Sequence, residues 1–231
     1  MTTYRKALIV GAGSGLSASL ARLFAKNGMK VALAARSIDK LSGLAAETGA
    51  QLVACDAAQE KDVEKLFVAV EGAIGAPDVV VYNASARSRG PFAELVAADV
   101  EKAIRVSAFG GFLVAQQAVR RMLPKGEGAI LFTGASASVK GYAQSTPFAM
   151  GKFALRGLAQ SMARELSPRG IHVAHFVIDG GIRSERRPPH SDKPDALLDP
   201  DAIAQTYLHV LQQPRSAWTW EVELRPWVEN F

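Results

Sequence analysis

The segment KALIVGAGSGLSASLARLFAKNG, residues 6–28, determines the fold. Its first five residues, Lys6–Val10, form the kind of apolar run that is typical of a buried strand. The loop GAGSG follows directly at residues 11–15, and apolar residues at helical spacing predict a helix over residues 16–27. Glycines between a strand and a helix let the backbone N–H groups approach a pyrophosphate. The segment therefore predicts a dinucleotide-binding unit.

Strands and helices alternate along the rest of the chain. Further strands are predicted over residues 30–35, 51–55, 79–82, 129–133, 171–178 and 218–224, and further helices over residues 39–47, 61–74, 98–122, 148–166 and 201–212. Short connections between alternating strands and helices indicate a parallel sheet with right-handed crossovers. We expect one α/β domain over residues 1–231, a Rossmann-like doubly wound parallel sheet of about seven strands with helices on both faces. The last strand alternates apolar and polar residues, which is typical of an edge strand or of one paired across a dimer.

Composition excludes several classes of protein. The 231 residues carry a net charge of +5, and the basic residues are scattered rather than gathered into a stripe with aromatic residues, which disfavours nucleic-acid binding. No apolar run approaches the roughly 18 residues that cross a bilayer, and the early first strand leaves no room for a signal peptide. The single cysteine, Cys55, offers neither a disulfide nor a metal-ligand spacing. We expect a cytoplasmic protein without a metal, a membrane or a nucleic-acid partner.

The end of the second strand favours NADP(H) over NAD(H). An acidic residue at this position binds the ribose 2′-hydroxyl of NAD, whereas a cation accommodates the 2′-phosphate of NADP. The chain has Arg36 and Ser37 there, with no acid before Asp39. Arg36 is expected to bind the phosphate, with Ser37 as a second donor.

These motifs together resemble the short-chain dehydrogenase/reductase family over residues 6–184. The family loop T-G-x-x-x-G-x-G corresponds to residues 10–17, where Val10 and Ser17 depart from it. The resemblance implies that Asp56 lies beside the adenine and that Asn83 belongs to the family motif after the fourth strand. It implies a homodimer or homotetramer that uses the long fourth and fifth helices, with the last strand as an additional candidate for the contact. The expected cofactor-binding residues are Gly11, Gly13, Ser14, Gly15, Leu16, Arg36, Ser37, Asp56, Asn83, Lys152, Gly180 and Ile182.

The catalytic motif departs from the family. Its Y-x-x-x-K pair corresponds to Phe148 and Lys152, so the lysine is present but the tyrosine that exchanges the substrate proton is not. The family serine falls on Ala135, with Ser136 and Ser138 nearby; a shift of one residue brings Ser136 into use. The family asparagine corresponds to Gly110, with Ser107 nearby. The expected catalytic positions are Lys152, Ser136, Phe148 as the position of the tyrosine and Ser107 as the position of the asparagine.

Other side chains are alternatives for the missing proton donor. Tyr142 precedes the helix of Phe148, and Asp179 replaces a family proline, although a packing tyrosine and a turn aspartate are the simpler interpretations. Core positions are expected for His172, His175 and Cys55. The loop over residues 183–200 is rich in proline and charge, which is typical of a mobile loop. The resemblance implies that this loop lies where the family has its substrate lid. Its basic residues either bind a carboxylate or phosphate of a substrate or are simply solvated: Arg183, Arg186, Arg187 and Lys193.

Three functions follow from this pattern. The first is an NADP(H)-dependent oxidoreductase for a small carbonyl, alcohol or enone, with a replacement donor or ordered water in place of the tyrosine. The second is a non-catalytic NADP(H)-binding sensor or oligomeric partner. A scaffold that binds no cofactor is disfavoured, because the glycine loop and Lys152 are both present.

Overall fold

A computed structural model describes residues 4–185, 187–189 and 192–228. Seven strands form one fully parallel sheet. Their bounds are β1 Lys6–Val10, β2 Lys30–Ala35, β3 Gln51–Ala54, β4 Val79–Tyr82, β5 Gly128–Thr133, β6 Ile171–Ile178 and β9 Glu221–Leu224, while β7 Gly181–Ile182 and β8 Leu197–Leu198 pair separately. The order across the sheet is β3-β2-β1-β4-β5-β6-β9. This sheet confirms the predicted doubly wound fold.

Helices cover both faces of the sheet. They are α1 Leu16–Lys26, α2 Ser42–Thr48, α3 Glu60–Ile74, α4 Ala97–Ile104, α5 Gly110–Met122, α6 Thr146–Leu166 and α7 Pro200–Leu211. One buried cluster joins the sheet to α1, α2 and α7, and a second joins its other face to α3, α5 and α6. Within the described ranges, no helix has the length and apolar character needed to span a membrane.

The strands match the sequence closely, whereas some connections differ. The predicted helix over residues 98–122 is divided by a π-helical turn at Arg105–Phe109. The predicted strand over residues 218–224 begins only at Glu221, because Trp218 stacks on His172 at 4.5 Å and donates its indole N–H to the Gln213 carbonyl. The predicted lid contains β8, a strand too short to give a sequence pattern. As predicted, β9 lies at an edge of the sheet.

The loop after β1 lies against the loop after β4. Gly11 has a φ of +86°, and a Cβ atom there would lie 2.3 Å from the backbone nitrogen of Ala84. The N–H of Asn83 donates to the Val10 carbonyl, and its side-chain amide donates to the Ser17 hydroxyl at 2.7 Å. Ser17 donates in turn to the Gly11 carbonyl at 3.1 Å. The two loops therefore form one hydrogen-bonded unit.

Polar side-chain contacts link the edge strand β9 to β6 and to α6. Nδ1 of His175, on β6, lies 2.9 Å from the carboxylate of Glu221, which also accepts two 2.7 Å hydrogen bonds from Arg156. Burial lowers the pKa of His175 to about 4; the attraction of Glu221 opposes this shift, and the positive charges of Lys152 and Arg156 add to it. His175 is therefore neutral in the folded chain at neutral pH. Both His172 and His175 are buried, as predicted.

Replacing Gly11 by alanine should destabilise the chain by about 2 kcal/mol or more, because the left-handed backbone is strained for alanine and its methyl group meets the Ala84 backbone. Gly13→Ala is the matched control, since a Cβ at Gly13 has no atom within 4 Å. Urea unfolding measures both variants. Equal stability of the two variants would contradict the close contact.

His175→Asn should reduce the loss of stability in acid. The unfolded chain protonates His175 near pH 6.5 and the folded chain only near pH 4, so the stability due to this group is complete above pH 6.5 and declines below it. Between pH 7 and pH 5 the free energy of unfolding should fall by about 2 kcal/mol more in the wild type than in the variant. Denaturant titrations at both pH values measure this difference, and parallel losses would refute the buried neutral histidine.

Candidate functional site

Three cavities lie along the carboxyl edge of the sheet, where ligands bind in doubly wound folds. The Arg36 cavity, of about 350 Å³, follows the ends of β1 to β4 and includes Arg36, Ser37, Asp56 and Asn83. The glycine-loop cavity, of about 250 Å³, shares Gly11 and Asn83 with the first and extends to Ile182. The Phe148 cavity, of about 370 Å³, begins at the neighbouring residues Gly180 and Gly181. Together these cavities follow one edge of the molecule.

The Arg36 cavity gathers the residues that were predicted to choose the cofactor. Arg36 and Ser37 follow β2, while Cys55 and Asp56 follow β3, so the parallel register of the two strands brings them to one wall. The carboxylate of Asp56 accepts a 3.0 Å hydrogen bond from the N–H of Ala58, which fixes its orientation. Cys55 is buried, as predicted, and burial raises the pKa of its thiol to about 12.

The glycine-loop cavity lies at the N-terminus of α1. Its lining includes the predicted residues Gly11, Gly13, Gly15, Leu16, Asn83 and Ile182. A Cβ at Gly13 or Gly15 would meet nothing within 4 Å, so both residues face open space. The first-turn N–H groups of a helix have no partner within the helix and suit an anion. The exposed Ser14 lies on the loop but does not line this cavity.

The Phe148 cavity contains two of the predicted catalytic positions, Ser136 and Phe148. Ser138, the other serine near the expected position, is fully buried and accepts a hydrogen bond from the N–H of Ala135 at 3.1 Å. Ser136 is therefore the serine of this turn that lines the cavity. The guanidinium of Arg87 lies 4.0 Å above the centre of the Phe148 ring, where it makes a cation–π contact.

Lys152 lies beneath Phe148, one helical turn further along α6. Its ammonium group is buried, donates a 2.7 Å hydrogen bond to the Thr133 carbonyl, and lies 5.8 Å from the Phe148 ring centre. Burial, assisted by the positive charge of Arg87, lowers the pKa of Lys152 to about 7. The lysine thus carries a proton that can be exchanged near neutral pH.

Ser107 lies in the π-helical turn that packs against α6. It is fully buried, and its hydroxyl accepts a hydrogen bond from the N–H of Ala86 at 3.2 Å. A Cβ at Gly151 would lie 2.7 Å from the Ser107 Cβ, so this glycine allows the close approach of α6. Gly110, the alternative position, faces the Tyr82 hydroxyl and the Ala57 backbone instead. Of the two positions, Ser107 is therefore the one that packs against α6, at Gly151.

The two alternative proton donors, Asp179 and Tyr142, differ in their surroundings. The carboxylate of Asp179 lies 3.3 Å from Lys140 and 3.5 Å from Arg225, so it forms ion pairs rather than capping a turn, as the simpler interpretation of the sequence proposed. Tyr142 is half-exposed at the rim of the Phe148 cavity. Both residues line the cavity that contains Phe148.

The basic residues of the predicted lid are separated. Arg183 forms a 2.6 Å ion pair with Asp199, Arg187 lines the Phe148 cavity, and Lys193 lines a surface cavity beside Trp227. Arg186 lies outside the described residues. The three described residues, Arg183, Arg187 and Lys193, therefore do not form a single anion site.

Sequence reasoning missed three residues that shape the cavities. Ser17 appeared only as a departure from the family glycine, yet its hydroxyl joins the two loops. Arg87 and Arg89 both line the Phe148 cavity. The signal for this pair was present in the sequence, because two arginines closely follow a buried strand that ends at the binding edge.

Comparisons with known proteins agree with this geometry. An uncharacterized oxidoreductase of Staphylococcus aureus (strain N315) is 27% identical over 230 residues, which cover 97% of this chain and 98% of the relative. The crystal structure of a short-chain dehydrogenase from Rhodopseudomonas palustris is 35% identical, with a TM-score of 0.84 and coverage of 98% of this chain and 100% of that one. An alcohol dehydrogenase from the archaeon Thermococcus sibiricus, complexed with 5-hydroxy-NADP, is 25% identical over 98% of both chains, with a TM-score of 0.86. The family profile for short chain dehydrogenase matches residues 5–194, and the chain belongs to this family.

Proposed function

We propose that the chain is an NADP(H)-dependent oxidoreductase acting on a small carbonyl, alcohol or enone, with an altered catalytic site. This proposal rests on the order of the three cavities along the carboxyl edge of the sheet: the Arg36 cavity, the glycine-loop cavity and the Phe148 cavity. A dinucleotide needs such an arrangement, with a nucleoside site, a phosphate site and a reaction site in order.

The residues present suit NADP(H). The open space beyond Gly13 and Gly15 leaves room for a pyrophosphate at the N-terminus of α1. Arg36 and Ser37 would bind the 2′-phosphate, and the carboxylate of Asp56 would lie near the adenine. The remaining contacts would come from Gly11, Ser14, Leu16, Asn83, Lys152, Gly180 and Ile182. The 5-hydroxy-NADP complex of the Thermococcus sibiricus relative supports the same cofactor class.

Bound NADP(H) would supply or accept the hydride. We assign to the Ser136 hydroxyl the hydrogen bond to the substrate oxygen, because it lines the cavity that holds Phe148. Lys152 would hold the exchangeable proton, since its pKa of about 7 makes both forms available at neutral pH. Water would carry this proton past the Phe148 ring, and Ser107 would position α6 through its contact with Gly151.

A second candidate function is a non-catalytic NADP(H)-binding sensor or oligomeric partner. Phe148 presents no hydroxyl group, and the Lys152 ammonium donates to the Thr133 carbonyl instead of lining a described cavity. This arrangement would preserve cofactor binding and lose proton transfer.

We also propose a homodimer or homotetramer. Large apolar side chains are exposed on the π-helical turn, on α5 and on α6, the segments expected to form the interface: Phe109, Phe112, Met150 and Phe153. Phe109 and Phe112 stack with their ring centres 6.1 Å apart. A second copy of the chain would cover this apolar surface.

Arg36→Gln should weaken NADPH binding about 10- to 100-fold, because a charge-assisted contact to the 2′-phosphate is lost. NADH affinity should stay within about threefold, since NADH has no phosphate at this position. Fluorescence titration with both nucleotides measures the change.

Lys26→Gln, at the exposed end of α1, is the matched control for this loss of one positive charge. It should leave both affinities unchanged. Equal losses for NADPH and NADH in Arg36→Gln, or a wild type that prefers NADH, would overturn the assignment of Arg36.

Phe148→Tyr should raise kcat/KM for carbonyl reduction by about a hundredfold or more, because the new hydroxyl supplies the missing general acid. The nearby charges of Arg87 and Lys152 would lower the pKa of this tyrosine. NADPH oxidation with a panel of aldehydes, ketones and enones measures the rates of wild type and variant.

Phe148→Leu is the control, because it changes the ring without adding a hydroxyl group and should bring no gain. Low but measurable NADPH oxidation by the wild type would support the proposed oxidoreductase activity. Absence of turnover in the wild type together with a strong gain in Phe148→Tyr would favour the non-catalytic candidate instead.

A further inference from the structure

Three arginines surround the Phe148 cavity. Arg87 and Arg89 come from the loop after β4, and Arg187 comes from the segment after β7. Desolvation of its guanidinium, together with the positive charges of Arg89 and Arg187, lowers the pKa of Arg87 below its ordinary value. Arg87 is therefore close enough to Arg89 and Arg187 to be affected by their charges.

Within the described part of the chain, these arginines have no carboxylate partner. Among the residues that the structure describes, no carboxylate lies within 4.0 Å of a nitrogen of Arg87, Arg89 or Arg187. The acidic residue that lines the cavity, Asp179, is paired with Lys140 and Arg225. The cavity thus carries an excess of positive charge.

The absence of a side chain at Gly181 leaves room for Arg187 in the cavity. A Cβ at Gly181 would lie 2.6 Å from Nη1 of Arg187, so the absence of a side chain allows the guanidinium to pack against this turn. The aromatic face of Phe148 holds Arg87 in a similar way, at 4.0 Å from the ring centre. Both contacts orient guanidinium groups without neutralising them.

The cofactor phosphates do not account for this charge. Under the proposed function, the pyrophosphate lies at the glycine loop and the 2′-phosphate at Arg36, in the other two cavities. Arg183, the arginine that lines the glycine-loop cavity, is already paired with Asp199. The anion that Arg87, Arg89 and Arg187 would bind is therefore a different one.

We propose that the Phe148 cavity binds the carboxylate of a small oxo acid, held by Arg87, Arg89 and Arg187. Guanidinium groups suit a carboxylate because their paired N–H groups match its two oxygens. A volume of about 370 Å³ fits a molecule of a few carbon atoms. This inference rests on the proposed function for its reaction, but binding of the acid is independent of turnover.

The reaction leaves the carboxylate unchanged. The carbonyl carbon of the oxo acid accepts a hydride from NADPH, the carbonyl π electrons move to oxygen, and this oxygen takes one proton. The products are the hydroxy acid and NADP⁺. In the reverse direction the hydroxy acid loses the same hydride and proton.

Matched pairs of acid and ester test the proposal. The pairs are 2-oxobutanoate, 3-oxobutanoate and 4-oxopentanoate, each with its methyl ester, and calorimetry measures binding to the protein with NADP⁺ present. We expect at least one acid to bind tenfold or more tightly than its ester. Arg87→Gln and Arg187→Gln should each weaken binding of that acid about 10- to 100-fold. With NADPH, the ratio of kcat/KM for the acid to that for the ester should fall in the same variants.

Arg120→Gln is the matched control, because Arg120 is exposed near the end of α5 that precedes β5, at the opposite edge of the sheet. It should bind the acid as the wild type does. Arginine-dependent binding of an acid without turnover would support this inference and count against the oxidoreductase. Equal binding of every acid and its ester, equal losses in Arg120→Gln and Arg87→Gln, or tighter binding of inorganic phosphate than of any acid would overturn it.

Discussion

The close contact between the loops after β1 and β4 is the constraint on which the binding edge depends. These strands are neighbours at the centre of the sheet, and the chain departs from them in opposite directions, so a crevice opens where their loops separate. Gly11 allows the two backbones to touch at Ala84, and Asn83 and Ser17 lock the contact with hydrogen bonds. Without this contact, the glycine loop would have no fixed position relative to the cavities beside it.

The charged and polar groups along the carboxyl edge of the sheet differ from one cavity to the next. The glycine loop presents backbone N–H groups at the N-terminus of α1, whereas the Phe148 cavity presents the side-chain cations of Arg87, Arg89 and Arg187. Phe148 belongs to this pattern, since its neutral ring lies beside both Arg87 and Lys152. Phe148 and the cations therefore belong to one cavity, so the proposed reaction and the proposed acid site concern the same few side chains.

The sequence predicted the sheet far better than it predicted the lining of the Phe148 cavity. The bounds of β1, β2, β4 and β6 match because a buried parallel strand is a continuous apolar run. The Arg36 cavity was also predictable, since its residues follow strand ends. The positions of Arg87 and Arg187 depended on how loops after different strands meet. The π-helical turn that buries Ser107 and the ion pairs of Asp179 likewise arise from packing between distant segments.

Thr133 links the two layers of helices through the sheet. Its carbonyl accepts the hydrogen bond from Lys152 of α6, while its hydroxyl lies 2.8 Å from the Tyr207 hydroxyl of α7. Tyr207 in turn stacks on Phe176 with ring centres 3.5 Å apart. A substitution in α7, on the far side of the molecule, would therefore shift the lysine through a single residue of β5. The position of Lys152 therefore depends on contacts on both faces of the sheet.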